Sequence, residues 1–215
     1  RIWPMEAAHS PDTLRAATRL AAAELLLSGT TTALTMETVH DTDVVFDALA
    51  EFGLRATVGK CMMDSDDSVP ARLREPTQAS IDESVALRKR WEGAADGRLR
   101  AAFAPRFAVS CSRELLEAVA DLSARERVIV HTHASESRDE VEVVRQLSGG
   151  LSNLEYLAAT GLASDRLCAA HCVWVSEAEQ ALLAERDVKV MHCPGSNLKL
   201  GSGIAPVVEM RRRGI

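Results

Sequence analysis

The chain has 215 residues, with 25 Lys and Arg against 31 Asp and Glu, a formal net charge of −6 at pH 7. Hydrophobic residues make up 47% and aromatics 4%, a balance that excludes disorder, collagen and coiled coil. An acidic chain lacks the concentrated basic face that nucleic acid requires, and no run approaches the roughly 20 apolar residues of a membrane-spanning helix.

The segments alternate between helical and strand-like patterns. Pro11-Asp12-Thr13 opens an amphipathic helix that stops at Ser28-Gly29, a start and stop of ordinary capping chemistry. Thr30 to Met36 reads as a strand, Asp41 to Phe52 as a helix closed by Gly53, and Arg55 to Lys60 as a strand. Pro76 to Trp91 is a long helix and Leu99 to Ala104 a strand; Ser112 to Ser123 is a helix and Arg127 to His131 a strand. Ser137 to Leu147 is the next helix, followed by a short one from Glu155 to Ala159. Arg166 to Ala170 is a strand, Ser176 to Glu185 a helix with a capping box, and Val188 to Met191 a strand. A last helix starts near Pro206.

Strand followed by helix, six times over, implies right-handed βαβ units and a parallel sheet covered on both faces. Two architectures fit, an open doubly wound sheet and a (β/α)8 barrel; no G-x-G-x-x-G follows any strand, which weakens the dinucleotide-binding version of the open sheet. Arg1 to Glu6 lacks the apolar core of a signal peptide. Five cysteines without a CxxC argue against a disulfide framework, so the expected compartment is the cytoplasm.

In a parallel barrel the reactive groups sit at the C-terminal ends of the strands. Glu37, Lys60, Arg106 and Phe107, His131, His133 and Glu136, His171 and His192 all fall there, including four of the six histidines. The string Val130-His131-Thr132-His133-Ala134-Ser135-Glu136 admits two readings. Imidazoles two apart on a strand share a face and suit a two-histidine metal grip. Alternatively His133 alone is the ligand, with Glu136 leaning over the site as a proton carrier. The second string, His192-Cys193-Pro194-Gly195-Ser196-Asn197, reads as a strand end, a Pro-Gly turn and a hydrogen-bonding loop. Cys172 beside His171 and Cys193 beside His192 invite a nucleophile reading, but neighbours on a strand point to opposite faces.

His131 to Glu142, Ala170-His171-Cys172-Val173-Trp174 and His192 to Leu200 together resemble the amidohydrolase superfamily, in the branch of the triazine hydrolases and methylthioadenosine/S-adenosylhomocysteine deaminases. Gly59 to Asp64, Leu73-Arg74-Glu75 and Ala104 to Cys111 resemble 5′-deoxyadenosine deaminase-like proteins and, more distantly, guanine deaminases. The resemblance implies a (β/α)8 barrel and hydrolytic deamination of a purine-type ring, most simply a 5′-modified adenosine. Guanine or a triazine is the alternative substrate. It implies one divalent metal ion, zinc with iron as the alternative, and a homodimer or larger oligomer acting on a small heterocycle; the acidic charge and the lack of a long apolar run add the expectation of no nucleic acid or membrane partner. Residue by residue, His133 matches the metal-binding histidine, and Glu136 the proton carrier. His171 matches the histidine that orients the attacking hydroxide. Arg106, Phe107, His192 and Asn197 match substrate-side positions. His131 has no ligand role in that alignment, so the two-histidine grip falls away.

Two features of the family are missing from the pattern. Upstream of Thr30 there is only His9 and no His-x-His, and no strand ending in the family's final aspartate follows Gly203. The expectation is therefore that residues 1–215 form strands two to seven of the barrel, without the family's small terminal β domain. A reading of a different class is a catalytically inactive piece that lacks most of the metal site.

Overall fold

The computed structural model describes residues 2–65 and 69–215. The chain divides into two compact units, Arg1–Ala104 and Pro105–Ile215. The first unit opens with α1 (Ile2–Ala7) and α2 (Pro11–Leu27), and continues through β1 (Thr32–Met36), α3 (Thr42–Phe52) and β2 (Arg55–Met62). A 3-10 turn at Ala71–Leu73, α4 (Thr77–Trp91), the short α5 (Ala94–Gly97) and β3 (Leu99–Pro105) complete it. Helix α1 has no counterpart in the sequence reading. Its Pro4 falls in the first turn, where a missing N–H has no partner to lose. Helix α2 starts on the expected cap, with Ser10 Oγ accepting from Thr13 N and Pro11 at the first helical position.

Strands β1 and β2 pair in parallel, Thr32 opposite Arg55 through Met36 opposite Gly59, and β3 lies next to β2. Gly59 permits that neighbour to come close, because a Cβ there would stand 2.6 Å from the Ala104 Cβ. The apolar stripes of α2, α3 and α4 close over these strands around Phe46 and Trp91, whose rings stack at 5.2 Å. The Trp91 indole N–H donates to Asp43 at 2.6 Å, so this buried aromatic keeps its polar end satisfied. Strand β2 runs two residues beyond the expected end, which places Lys60 inside the strand and buried.

The second unit contains α6 (Arg113–Glu126), β4 (Val130–Ala134), α7 (Arg138–Leu147), α8 (Asn153–Ala159) and β5 (Leu167–His171). It ends with α9 (Glu177–Glu185), β6 (Lys189–Met191), α10 (Pro194–Leu200) and α11 (Val207–Arg212). Strands β4, β5 and β6 pair in parallel in that order. Two expectations are corrected here. Helix α6 runs three residues past Ser123 and ends on Arg127, which takes left-handed φ 54 as its C-cap, so β4 starts at Val130 instead of Arg127. The stretch after His192 is not a loop: Pro194 sits at the first helical position, where its fixed φ is favourable, and α10 follows. Among the described residues no helix is long and apolar enough to cross a membrane.

Candidate active site

Because β4 runs on to Ala134, three residues past the expected end at His131, His131 and His133 both lie inside the strand, and the two-residue period turns them to one face. Their ring centroids lie 6.4 Å apart with the planes 17° from parallel. The His171 ring, from the end of β5, lies 5.4 Å from that of His133 at 21°. The register that sets Ala134 opposite His171 brings these strand ends level.

Beyond the strands the backbone does something that strand periodicity does not contain. Ser135, His171 and Cys172 all adopt left-handed φ, at 53°, 73° and 45°. Such a conformation crowds the Cβ of an ordinary residue and costs on the order of 1–3 kcal/mol each, and it gathers at functional sites. The two strand ends interlock through it. Cys172 N donates to Ala134 O at 2.9 Å, and the N–H groups of Val173 and Trp174 both donate to Ser135 O at 3.0 Å. The result is a carboxylate and an imidazole facing each other, with Glu136 Oε2 3.7 Å from His171 Nε2.

Each imidazole is oriented by its other nitrogen. His133 Nδ1 lies 2.8 Å from the Arg106 carbonyl, which also accepts from His133 N at 3.0 Å, and Phe107 forms an isolated parallel bridge to His133. A carbonyl only accepts, so the ring proton is on Nδ1 and Nε2 carries the lone pair. Burial pushes the His133 pKa below the ordinary 6.5, against the Arg106 carbonyl, which pulls the other way. A base depressed in this way contributes stability that is whole above pH 6.5 and is lost as the pH falls towards its folded pKa. An NMR titration of the His133 ring should therefore show its inflection below 6.5; an inflection at or above that value would contradict the burial argument. His171 Nδ1 in turn donates to Asn197 Oδ1 at 2.7 Å, and the Asn197 side chain is almost fully buried in α10.

One residue central to this arrangement escaped the sequence reading. Glu140, in the first turn of α7, receives Ser135 N at 3.0 Å and Asn153 Nδ2 on one carboxylate oxygen and Glu136 N at 2.7 Å on the other. It holds the backbone on which Glu136 is mounted. Burial pushes the Glu140 carboxyl up, while the N–H donors around it pull it down. Its only sequence signal was an acidic residue one turn into a helix, which reads as a dipole or capping effect. Glu140→Gln turns an NH2 group towards backbone N–H donors, and should lower stability by about 1–3 kcal/mol. Thermal unfolding measures it, as a fall of about 2–4 °C per kcal/mol at this chain length.

The structure thus gathers His133, Glu136, His171 and Asn197, with Arg106 and Phe107 supporting them through the main chain. His192 follows β6 as an exposed residue, and among the described residues no hydrogen bond, ion pair or ring contact joins it to that group. Cys172 is fully buried and burial pushes its thiol far up, which removes the cysteine nucleophile reading there. His133 fits one position of a metal site: a half-buried neutral imidazole, its tautomer set by a backbone carbonyl, is the usual state of a ligating histidine. Among the described residues no group of three or more His, Cys, Asp and Glu is placed to hold an ion.

The profile of the Amidohydrolase family matches residues 3–215. The chain belongs to that family. It is 39% identical over 214 residues to a 5′-deoxyadenosine deaminase of Methanothermobacter thermautotrophicus, covering 100% of this chain and 48% of the relative. It is 37% identical to a 5-methylthioadenosine/S-adenosylhomocysteine deaminase of Pelotomaculum thermopropionicum, covering 100% and 47%. The chain thus spans about half the length of the curated relatives it matches. Among solved structures, guanine deaminase from C. acetobutylicum with bound guanine aligns at TM-score 0.94 and 30% identity, covering 100% of this chain and 52% of that one. A mutant atrazine chlorohydrolase from Arthrobacter aurescens, complexed with zinc and atraton, aligns at TM-score 0.90 and 25% identity, covering 99% and 49%. The fold class expected from the sequence, a partial (β/α)8 barrel, is borne out by these neighbours.

Proposed function

We propose that the protein carrying this chain is a metal-dependent aminohydrolase that replaces the exocyclic amine of a purine-type ring by oxygen and releases ammonia. The favoured substrate class is a 5′-modified adenosine: 5′-deoxyadenosine, methylthioadenosine or S-adenosylhomocysteine. Its support is the names of relatives that match the whole of this chain. The observation that carries the reading is the Glu136 carboxylate 3.7 Å from His171 Nε2, on strand ends locked by left-handed turns.

In this reading Glu136 takes a proton from the attacking water and delivers it to the ring nitrogen beside the amine-bearing carbon. His171, its Nδ1 spent on Asn197, turns Nε2 towards the same water and orients it. His133 offers Nε2 to one divalent ion, zinc in the favoured case. When bound, such an ion supplies a water whose pKa is brought down to about 7. Arg106, Phe107 and His192 are assigned to the substrate side, and Asn197 acts there through His171. With about half of its relatives' length and one metal ligand, residues 1–215 are assigned to strands two to seven of the parent barrel, and the activity to the complete protein. A cytoplasmic homodimer or larger assembly belongs to the same proposal.

Guanine is the second reading, favoured by the structural match to a guanine-bound deaminase. The experiment is ammonia release by the complete, metal-loaded protein from 5′-deoxyadenosine, methylthioadenosine and guanine. Release from the adenosines with guanine inert is the expected result. Release from guanine alone would transfer the assignment to the second reading, and release from none would sink both.

A further inference from the structure

We propose that Ser202 is a positioning residue for Glu136, its hydroxyl holding one carboxylate oxygen so that the other alone faces His171. The catalytic consequence rests on the aminohydrolase reading; the contact does not. Ser202 Oγ donates to Glu136 Oε1 at 3.1 Å, while Oε2 is the oxygen that stands 3.7 Å from His171 Nε2. A carboxylate turns easily about its last torsion, which is broad and two-fold. A proton carrier has to present one oxygen along one direction, and a hydroxyl fixed beside the other oxygen removes that freedom.

The hydroxyl is itself fixed from several sides. Ser202 N donates to Asn197 O at 2.8 Å, across Gly201, whose left-handed φ of 70° closes α10. Ser202 O accepts the Trp174 indole N–H at 2.7 Å, and the Arg138 guanidinium lies over that indole at 4.1 Å. Gly203 then passes against the same ring at φ +128, where a Cβ would meet Val173 Cγ1 at 2.9 Å and Trp174 at 3.1 Å. Only a glycine can follow that surface so closely. The segment that orients His171 through Asn197 thereby also orients Glu136 through Ser202, and the two residues are tied by a hydrogen bond of their own. In the sequence, residues 201–203 showed only a pair of glycines around a serine.

Two measurements on the complete, metal-loaded protein test the proposal. Ser202→Ala should lower kcat on the order of tenfold, with KM changed by no more than about twofold, and Ser202→Thr, which keeps the hydroxyl, should recover most of the loss. A kcat equal to wild type, or a Thr variant no better than Ala, would overturn it. The contact is read without turnover by a double-mutant cycle in thermal unfolding. Ser202→Ala should lower the midpoint clearly in the wild-type background and much less in the Glu136→Ala background. Equal drops in both backgrounds would overturn the proposal. Failure of the aminohydrolase reading looks different: a wild type inert towards every heterocycle, with the cycle still non-additive.

Discussion

Glu136→Gln in the complete protein is expected to lower kcat for ammonia release by about 10²- to 10⁴-fold, the span that a positioned proton carrier contributes. Glutamine keeps the size of the side chain, and its amide oxygen can still accept from Ser202, whose hydroxyl lies 3.1 Å from Oε1 in the native chain. What it loses is the ability to take up a proton and hand it on. Metal content should not change, because His133 is oriented by the Arg106 carbonyl and not by Glu136. Elemental analysis alongside the kinetics separates the two effects. Turnover at the wild-type rate would remove Glu136 from the chemistry, and a parallel loss of metal would make it a ligand instead.

Glu75→Ala should cost about 3–5 kcal/mol of stability, the range for stripping one partner from a buried ion pair. The Lys60 side chain is 1% exposed. Its ammonium donates to Glu75 Oε2 at 2.5 Å, to Cys61 O at 3.3 Å and to Ser80 Oγ at 3.5 Å. Glu83 is the other carboxylate nearby, at 3.7 Å and 40% exposed, and burial already pushes its carboxyl up against the pull of Lys60. Neither the carbonyl nor the hydroxyl can balance a buried charge, so losing Glu75 leaves the ammonium dehydrated and undercompensated. Urea or thermal unfolding reads the loss. The double variant Lys60→Met/Glu75→Leu removes both charges together and should regain most of it. A single variant as stable as wild type would mean that the pair contributes nothing.

Local chemistry carried most of the secondary structure. Ser10 with Pro11 starts α2, Gly53 closes α3 at left-handed φ 76, and the Ser176–Glu179 capping box starts α9. Each of these signals is complete within four residues, so a sequence displays it in full. Local signals mislead where a distant partner decides. Val128 and Ile129 have strand propensity, yet Arg127 ends α6 left-handed and the ladder with β5 begins only at Val130. Pro194 and Gly195 looked like a turn, but they open α10, whose Asn197 is buried against His171.

The candidate site divides along the same line. Periodicity alone put His131 and His133 on one face and set His133, Glu136 and His171 at strand ends, since side-chain direction along a strand depends on counting by two. The family likeness of those strings was equally present in the chain, and the match over residues 3–215 follows from it. Only the tertiary structure decided that Glu140 ties down the backbone at Ser135 and Glu136, that Ser202 grips one oxygen of Glu136, and that Asn197 orients His171. Two of these three join residues 26 and 66 positions apart. The left-handed turns at Ser135, His171 and Cys172 are unfavourable for their own residue types and stand because Ala134 and Ser135 accept the N–H groups of Cys172, Val173 and Trp174. No local propensity encodes a strained turn that is held by hydrogen bonds from a strand end almost forty residues away.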